Sequence, residues 1–106
     1  MSTHNPDRWV IVGDGSNFKV LGGWSGGYLD GDSWRLSSGL ERIEEDGDYY
    51  LMHNYSGSVY KCHKSGEGMI LIMSGIFSQL KEQSETVEIY TVDKFNEIQN
   101  AKDSDD

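Results

Sequence analysis

The sequence predicts an α+β fold. An antiparallel meander of five to seven short strands spans residues 8–64, one amphipathic helix near 69–84 lies on a sheet face, and a further strand and a short C-terminal helix follow. Three observations carry this prediction. Dipeptide turn signals recur at steps of eight to ten residues through the first two-thirds of the chain. An apolar stripe of helical period comes next, and a strand-like run, Val87–Val92, follows the stripe.

The turn signals are Asp14-Gly15, Gly22-Gly23, Asp30-Gly31, Ser38-Gly39, Asp46-Gly47, Ser56-Gly57 and Ser65-Gly66. Asp-Gly favours a two-residue hairpin loop because a type I′ turn needs positive φ at both central positions. Short strands at such spacing build an antiparallel meander, a sandwich or a small barrel. The segments between turns differ from one another, so the spacing is architectural and not a sequence repeat. With Asp14-Gly15 as the loop, Ile11 faces Phe18 and Trp9 faces Val20, which makes one apolar layer. The opposite face, Val10 by Lys19 and Val12 by Asn17, is mixed. With Asp46-Gly47 as the loop, Ile43 faces Tyr50 and Glu41 faces Met52. With Ser56-Gly57, His53 faces Tyr60 and Leu51 faces Cys62, so the strand 49–54 pairs on both sides.

After Gly66 the period changes. Met69, Ile72, Met73, Ile76, Phe77 and Leu80 fall at i, i+3, i+4, i+7, i+8 and i+11, one face of a helix that Lys81, Glu82 and Gln83 extend. Gly75 costs such a helix about 1 kcal/mol relative to Ala. It keeps open a second reading, in which Met69–Met73 is a buried strand turning at Ser74-Gly75. Asp93 is placed to cap a helix reaching about Ala101, with Phe95 and Ile98 as its docking face. Residues 8–101 form one domain. A flexible N-terminus (1–7) precedes it, and an acidic disordered tail (102–106) with nothing to bury follows.

Nine basic and eighteen acidic side chains give a net charge of −9, of which −3 falls in residues 1–66 and −6 in 67–106. Phosphate repels such a chain, so direct nucleic-acid binding and attachment to anionic membranes are both disfavoured. The longest apolar run, Met69–Met73, is too short to cross a bilayer. The opening MSTHNPDRW has neither the basic flank nor the apolar stretch of a signal peptide, so a cytoplasmic location is expected. An acidic surface is suited to fast association with a basic protein surface. The candidate residues are Glu41, Glu44, Glu45, Asp46 and Asp48, together with Glu82, Glu85 and Glu88. The same acidity also serves solubility. No oligomeric state is legible.

A second candidate is a small-ligand or carbohydrate site on Trp24, Tyr28 and Trp34, aromatics close in sequence within a glycine-rich stretch. They serve equally well as core. A third is a cysteine-dependent enzyme. Cys62 and His63 alternate across a strand, whereas His53 and Cys62 form a diagonal pair on one face, too far apart without favourable rotamers and with no evident acidic residue to orient the base. Cys62 beside Leu51 reads as a small buried hydrophobe. His4, His53, Cys62 and His63 lack the paired short spacings of a zinc site, with His53 and His63 on opposite faces. Asp30-Gly31-Asp32 and the run Glu44–Asp48 lack the ligand order of a calcium loop. No dinucleotide or P-loop motif occurs. No catalytic residue, metal or cofactor is therefore assigned.

The stretches 27–39 (GYLDGDSWRLSSG) and 56–63 (SGSVYKCH) resemble small uncharacterised proteins of bacteriophages and mobile elements. The resemblance implies context only, a phage accessory protein working in a bacterial host, and transfers no functional residue.

Overall fold

Two kinds of apolar periodicity, period two before Gly66 and helical after it, divide the chain into strands and helices. The computed structural model describes residues 2–27 and 31–103. Its elements are β1 (Thr3–His4), β2 (Arg8–Gly13), β3 (Phe18–Gly27), β4 (Gly31–Leu36), β5 (Leu40–Asp46), β6 (Tyr49–Asn54), β7 (Val59–His63), a 3-10 turn (Lys64–Gly66), α1 (Leu71–Gln83), β8 (Glu88–Tyr90) and α2 (Val92–Asp103). The strands make two four-stranded sheets, ordered β1-β7-β6-β5 and β4-β3-β2-β8, antiparallel throughout except for the β1–β7 pair. The fold is α+β with a meander-like strand order, as the sequence predicts.

The meander changes sheet at Ser37–Gly39. Ser37 N donates to Val20 O at 2.9 Å and Ser37 Oγ accepts from Val20 N at 2.8 Å, which ties it to β3. Two residues later Gly39 O accepts from Tyr55 N at 2.9 Å, which ties the chain to the other sheet.

The layers follow from which faces are apolar. Trp9, Ile11, Phe18 and Val20 on one sheet meet Leu40, Met52, Tyr60 and Cys62 on the other, and Val92 and Phe95 of α2 join this core. On the far side of β2 and β3, Val10, Val12 and Leu21 pack with Met73 and the partly buried Met69, Ile72, Ile76, Phe77 and Leu80. The middle sheet is thus covered on both faces, which explains the uninterrupted apolar run of β2. The helical stripe holds as predicted, and α1 absorbs Gly75 in its exposed face. No helix among the described residues is long and apolar enough to cross a membrane.

Several details differ from the sequence-based expectation. In the first hairpin Gly13 pairs with Phe18 and Ile11 with Val20; around Asp46, Asp46 pairs with Tyr49 and Ile43 with Met52. Both registers are shifted by two residues, and an even shift leaves every side chain on its expected face. The β6–β7 hairpin is shifted by one, with His53 opposite Val59 and Tyr50 opposite Cys62, and an odd shift exchanges the faces. Its cause is Asn54, whose amide donates to Ser58 O at 3.2 Å and Ser58 Oγ at 3.1 Å and so holds a longer loop.

Gly22-Gly23 makes no turn. Both residues lie within β3, where a Cβ on Gly22 would stand 3.0 Å from Pro6 Cβ and one on Gly23 would enter the Met73 thioether. Asp93 is not the cap of α2; Thr91 Oγ1 accepts from Lys94 N at 3.0 Å instead, and Asp93 sits in the first turn, where a carboxylate complements the helix dipole. Within residues 2–7, β1 adds to β7, Pro6 is buried, and Asp7 N donates to Gly23 O at 2.9 Å. At the other end α2 runs on to Asp103, two residues into the segment expected as tail.

Candidate functional site

The acidic candidates form two groups, set by strand alternation. β5 is the outermost strand of its sheet. Its residues Arg42, Glu44 and Asp46 face outward across from His53, Leu51 and Tyr49, while Ile43 and Glu45 face the Met52 and Tyr50 side. Glu41 stands at an irregularity between Leu40 and Arg42, and Asp48 follows Gly47, whose φ of 61° makes the turn. All five carboxylates are exposed. Glu44 lies 3.0 Å from His53 Nε2 and 3.8 Å from Arg42, and Glu45 pairs with Lys64, which raises the Lys64 pKa. Glu41, Asp46 and Asp48 make no ion pair among the described residues.

The second group lies on the C-terminal part of α1 and on β8. Glu82 and Glu85 are exposed, and Glu88 pairs with Lys81 at 2.7 Å. β8 is the outermost strand of the other sheet, and α2, which follows it, packs against β5. The two groups thus stand on outermost strands of different sheets and on α1.

The aromatic candidates are not brought onto one plane. Trp24 pairs with Ser33, and the neighbouring ladder position joins Gly23 to Trp34, so the two indoles leave opposite faces of the β3–β4 ladder. Trp24 is half-buried and donates from Nε1 to Asn5 O at 2.9 Å, whereas Trp34 is 42% exposed. Both border an open groove of about 520 Å³ with Thr3, His4, Asn5, Ser33 and Arg35. Tyr28, the third member, lies outside the described residues.

The odd register of β6–β7 separates the thiol from its supposed base. Cys62 points into the core with Met52 and Tyr60, while His53 points outward with Leu51 and Val59. Cys62 is fully buried, its Sγ donates to Tyr60 O at 3.6 Å, and burial pushes its thiol up to about 12. Such a thiol stays protonated and is a poor nucleophile at neutral pH. His53 and His63 share the outer face, contrary to the expectation that they diverge, but stand at opposite ends of the hairpin. Among the described residues, no three His, Cys, Asp or Glu side chains gather as a ligand set.

A feature not singled out in the sequence is a cleft of about 530 Å³ between the β2–β3 turn, the start of β5 and α2. Asn17, Glu41, Arg42, Asn96, Gln99 and Lys102 contribute its polar lining, and Tyr55, 72% exposed, stands at its border. In the sequence, Tyr55 reads only as the residue before a Ser-Gly turn. Asn96 and Gln99 fall three apart on α2, spacing that puts both on one helix face.

Comparison with protein families, with curated proteins and with solved structures finds no match for this chain.

Proposed function

We propose that the protein is a non-enzymatic interaction module whose carboxylates on β5 and its turn engage a basic surface of a partner protein. The supporting observation is the state of Glu41, Asp46 and Asp48: exposed on an outermost strand and the turn that follows it, and without an ion pair among the described residues, in a chain of net charge −9. Unpaired exposed carboxylates are available to steer and orient a cationic partner without first breaking an internal contact. On the resemblance to phage proteins, the specific partner is a nucleic-acid-binding protein of a bacterial host, its basic groove blocked by carboxylates in place of phosphates.

The test is retention of basic proteins from a bacterial lysate on the immobilised chain at low and at moderate salt. A partner retained at low salt, released by moderate salt and lost from the Glu41→Gln, Asp46→Asn, Asp48→Asn triple variant supports the proposal. Retention of no basic partner at low salt overturns it. The other reading, a ligand module on Trp24 and Trp34, draws less from the geometry because the two indoles face apart.

A further inference from the structure

Tyr55 is an exposed ring on a rigid mount. Its backbone N–H donates to Gly39 O at 2.9 Å. The preceding Asn54 is 3% exposed and donates to Met52 O, Ser58 O and Ser58 Oγ, which fixes the loop that carries the ring. Gly39 does not have the positive φ that requires glycine. What its missing side chain provides is room, since a Cβ there would lie 3.2 Å from Tyr55 Cδ2 and 3.7 Å from Cε2. One side of the ring is thus seated on the backbone, and with 72% of the residue exposed the remainder is bare. Seating a large apolar ring in this way, only to leave it in water, gives the fold nothing from burial.

The ring borders a cleft whose other walls include uncharged polar groups beside Glu41, Arg42 and Lys102. Asn96 and Gln99 line it from α2 and Asn17 from the β2–β3 turn, while Glu41 and Arg42 line the β5 side. Lys102, also in the lining, donates to Ser16 O at 3.4 Å and so links α2 to the β2–β3 turn. A carboxamide both donates and accepts without formal charge, as a hydroxyl does. A flat ring bordering a cleft lined by several carboxamides suits a ligand with an apolar face and a rim of hydroxyls. The charged lining is mixed, Glu41 against Arg42 and Lys102, so a nucleotide is the competing ligand that the titration separates from a saccharide.

We propose that this cleft binds a saccharide, with Tyr55 stacking on the sugar ring and Asn17, Asn96 and Gln99 meeting its hydroxyls. The cleft shares Glu41 with the partner-binding reading, but Tyr55 belongs to neither acidic group, so variants at Tyr55 test this site apart from that reading. The test is a ¹H–¹⁵N NMR titration of the full chain with oligosaccharides of glucose, galactose, mannose and N-acetylglucosamine, and separately with adenosine monophosphate. The expected result is saturable shifts from at least one saccharide at the side-chain amides of Asn17, Asn96 and Gln99 and at the backbone amides of Gly39 and Leu40. Tyr55→Trp retains them, and Tyr55→Ala weakens binding about tenfold with unchanged thermal unfolding. Gly39→Ala, which displaces the ring, also weakens binding. Absence of these shifts with all four saccharides, shifts with the nucleotide alone, or saccharide affinity unaltered in Tyr55→Ala overturns the proposal.

Discussion

The indole N–H of Trp9, on β2, donates to the carbonyl oxygen of His63, at the end of β7, at 2.8 Å. These strands belong to different sheets, so this bond crosses the core. The backbone at Trp9 strengthens the junction, since Gly68 N donates to Trp9 O at 2.9 Å and Trp9 pairs with Glu67 in a parallel bridge. Trp9 therefore joins the middle sheet, the outer sheet and the segment entering α1.

Removing the indole tests this junction. Trp9→Phe keeps an aromatic ring but leaves the His63 carbonyl without its donor, and the expected loss is about 1–3 kcal/mol. Trp9→Ala also opens a cavity and is expected to cost about 3–5 kcal/mol. Urea unfolding of the two variants measures both values. A Trp9→Phe midpoint equal to that of the parent would show that the bond contributes nothing net.

Two glycines give opposite expectations for the same substitution. At Gly13 a Cβ would lie 2.8 Å from Asn17 O and would enter the Phe18 ring, so Gly13→Ala must move either a turn or a core aromatic, at about 1–3 kcal/mol. At Gly75, in the exposed face of α1 with ordinary helical φ, a Cβ meets nothing within 4 Å. Gly75→Ala is expected to stabilise the protein by about 0.5–1 kcal/mol through helix propensity and lower unfolded-state entropy. Thermal unfolding decides both signs.

The contrast between registers explains which parts of the fold were legible. The alternation of Trp9, Ile11, Phe18 and Val20 and the helical stripe from Met69 to Leu80 are written in apolar periodicity, which survives an even slip in pairing. The β6–β7 register departs from the dipeptide expectation because the loop length depends on side-chain hydrogen bonds of Asn54 that no dipeptide rule contains. The two-sheet division turns on Ser37 and Gly39, where a turn signal marks a crossing between layers. Gly22 and Gly23 signal close packing against Pro6 and Met73, and glycine looks the same in sequence for either purpose. The acidic residues were legible from composition, but their division between outer strands of two different sheets, and the seat of Tyr55 on Gly39, exist only in three dimensions.

Asp14 controls the first turn. Its Oδ1 accepts from Ser16 N at 2.9 Å and from Asn17 N at 2.8 Å, and these bonds hold its pKa below the ordinary 3.8. A carboxyl lowered on folding contributes stability above its unfolded pKa and loses it as pH falls through the folded one. NMR titration of the Asp14 carboxyl should therefore give a midpoint below 3.8. Asp14→Asn keeps an oxygen acceptor for both amides, so it should retain the hairpin register while removing this acid-side dependence. A midpoint at or above the ordinary value would mean that the two amides do not favour the ionised form.

Cys62 gives the alkaline counterpart, with the sign reversed. Burial raises its thiol from 9.0 to about 12, so the folded state holds the proton where the unfolded chain releases it. The stabilisation is therefore complete below about pH 9 and declines as pH rises towards 12, at up to about 1.4 kcal/mol per pH unit. Tyr60, two residues earlier and also raised by burial, adds to the decline beyond its ordinary 10.0. Cys62→Ala separates the two. At about pH 7 it costs on the order of 1 kcal/mol for the small volume lost, but its urea midpoint should fall less steeply between about pH 9 and about pH 10.5 than that of the parent. Iodoacetamide provides the second measurement, because a protonated thiol without solvent access reacts only when the chain opens. Labelling of the native protein at the rate of an unfolded control would place Cys62 at the surface, and parallel pH slopes for parent and variant would show that its pKa is the same in both states.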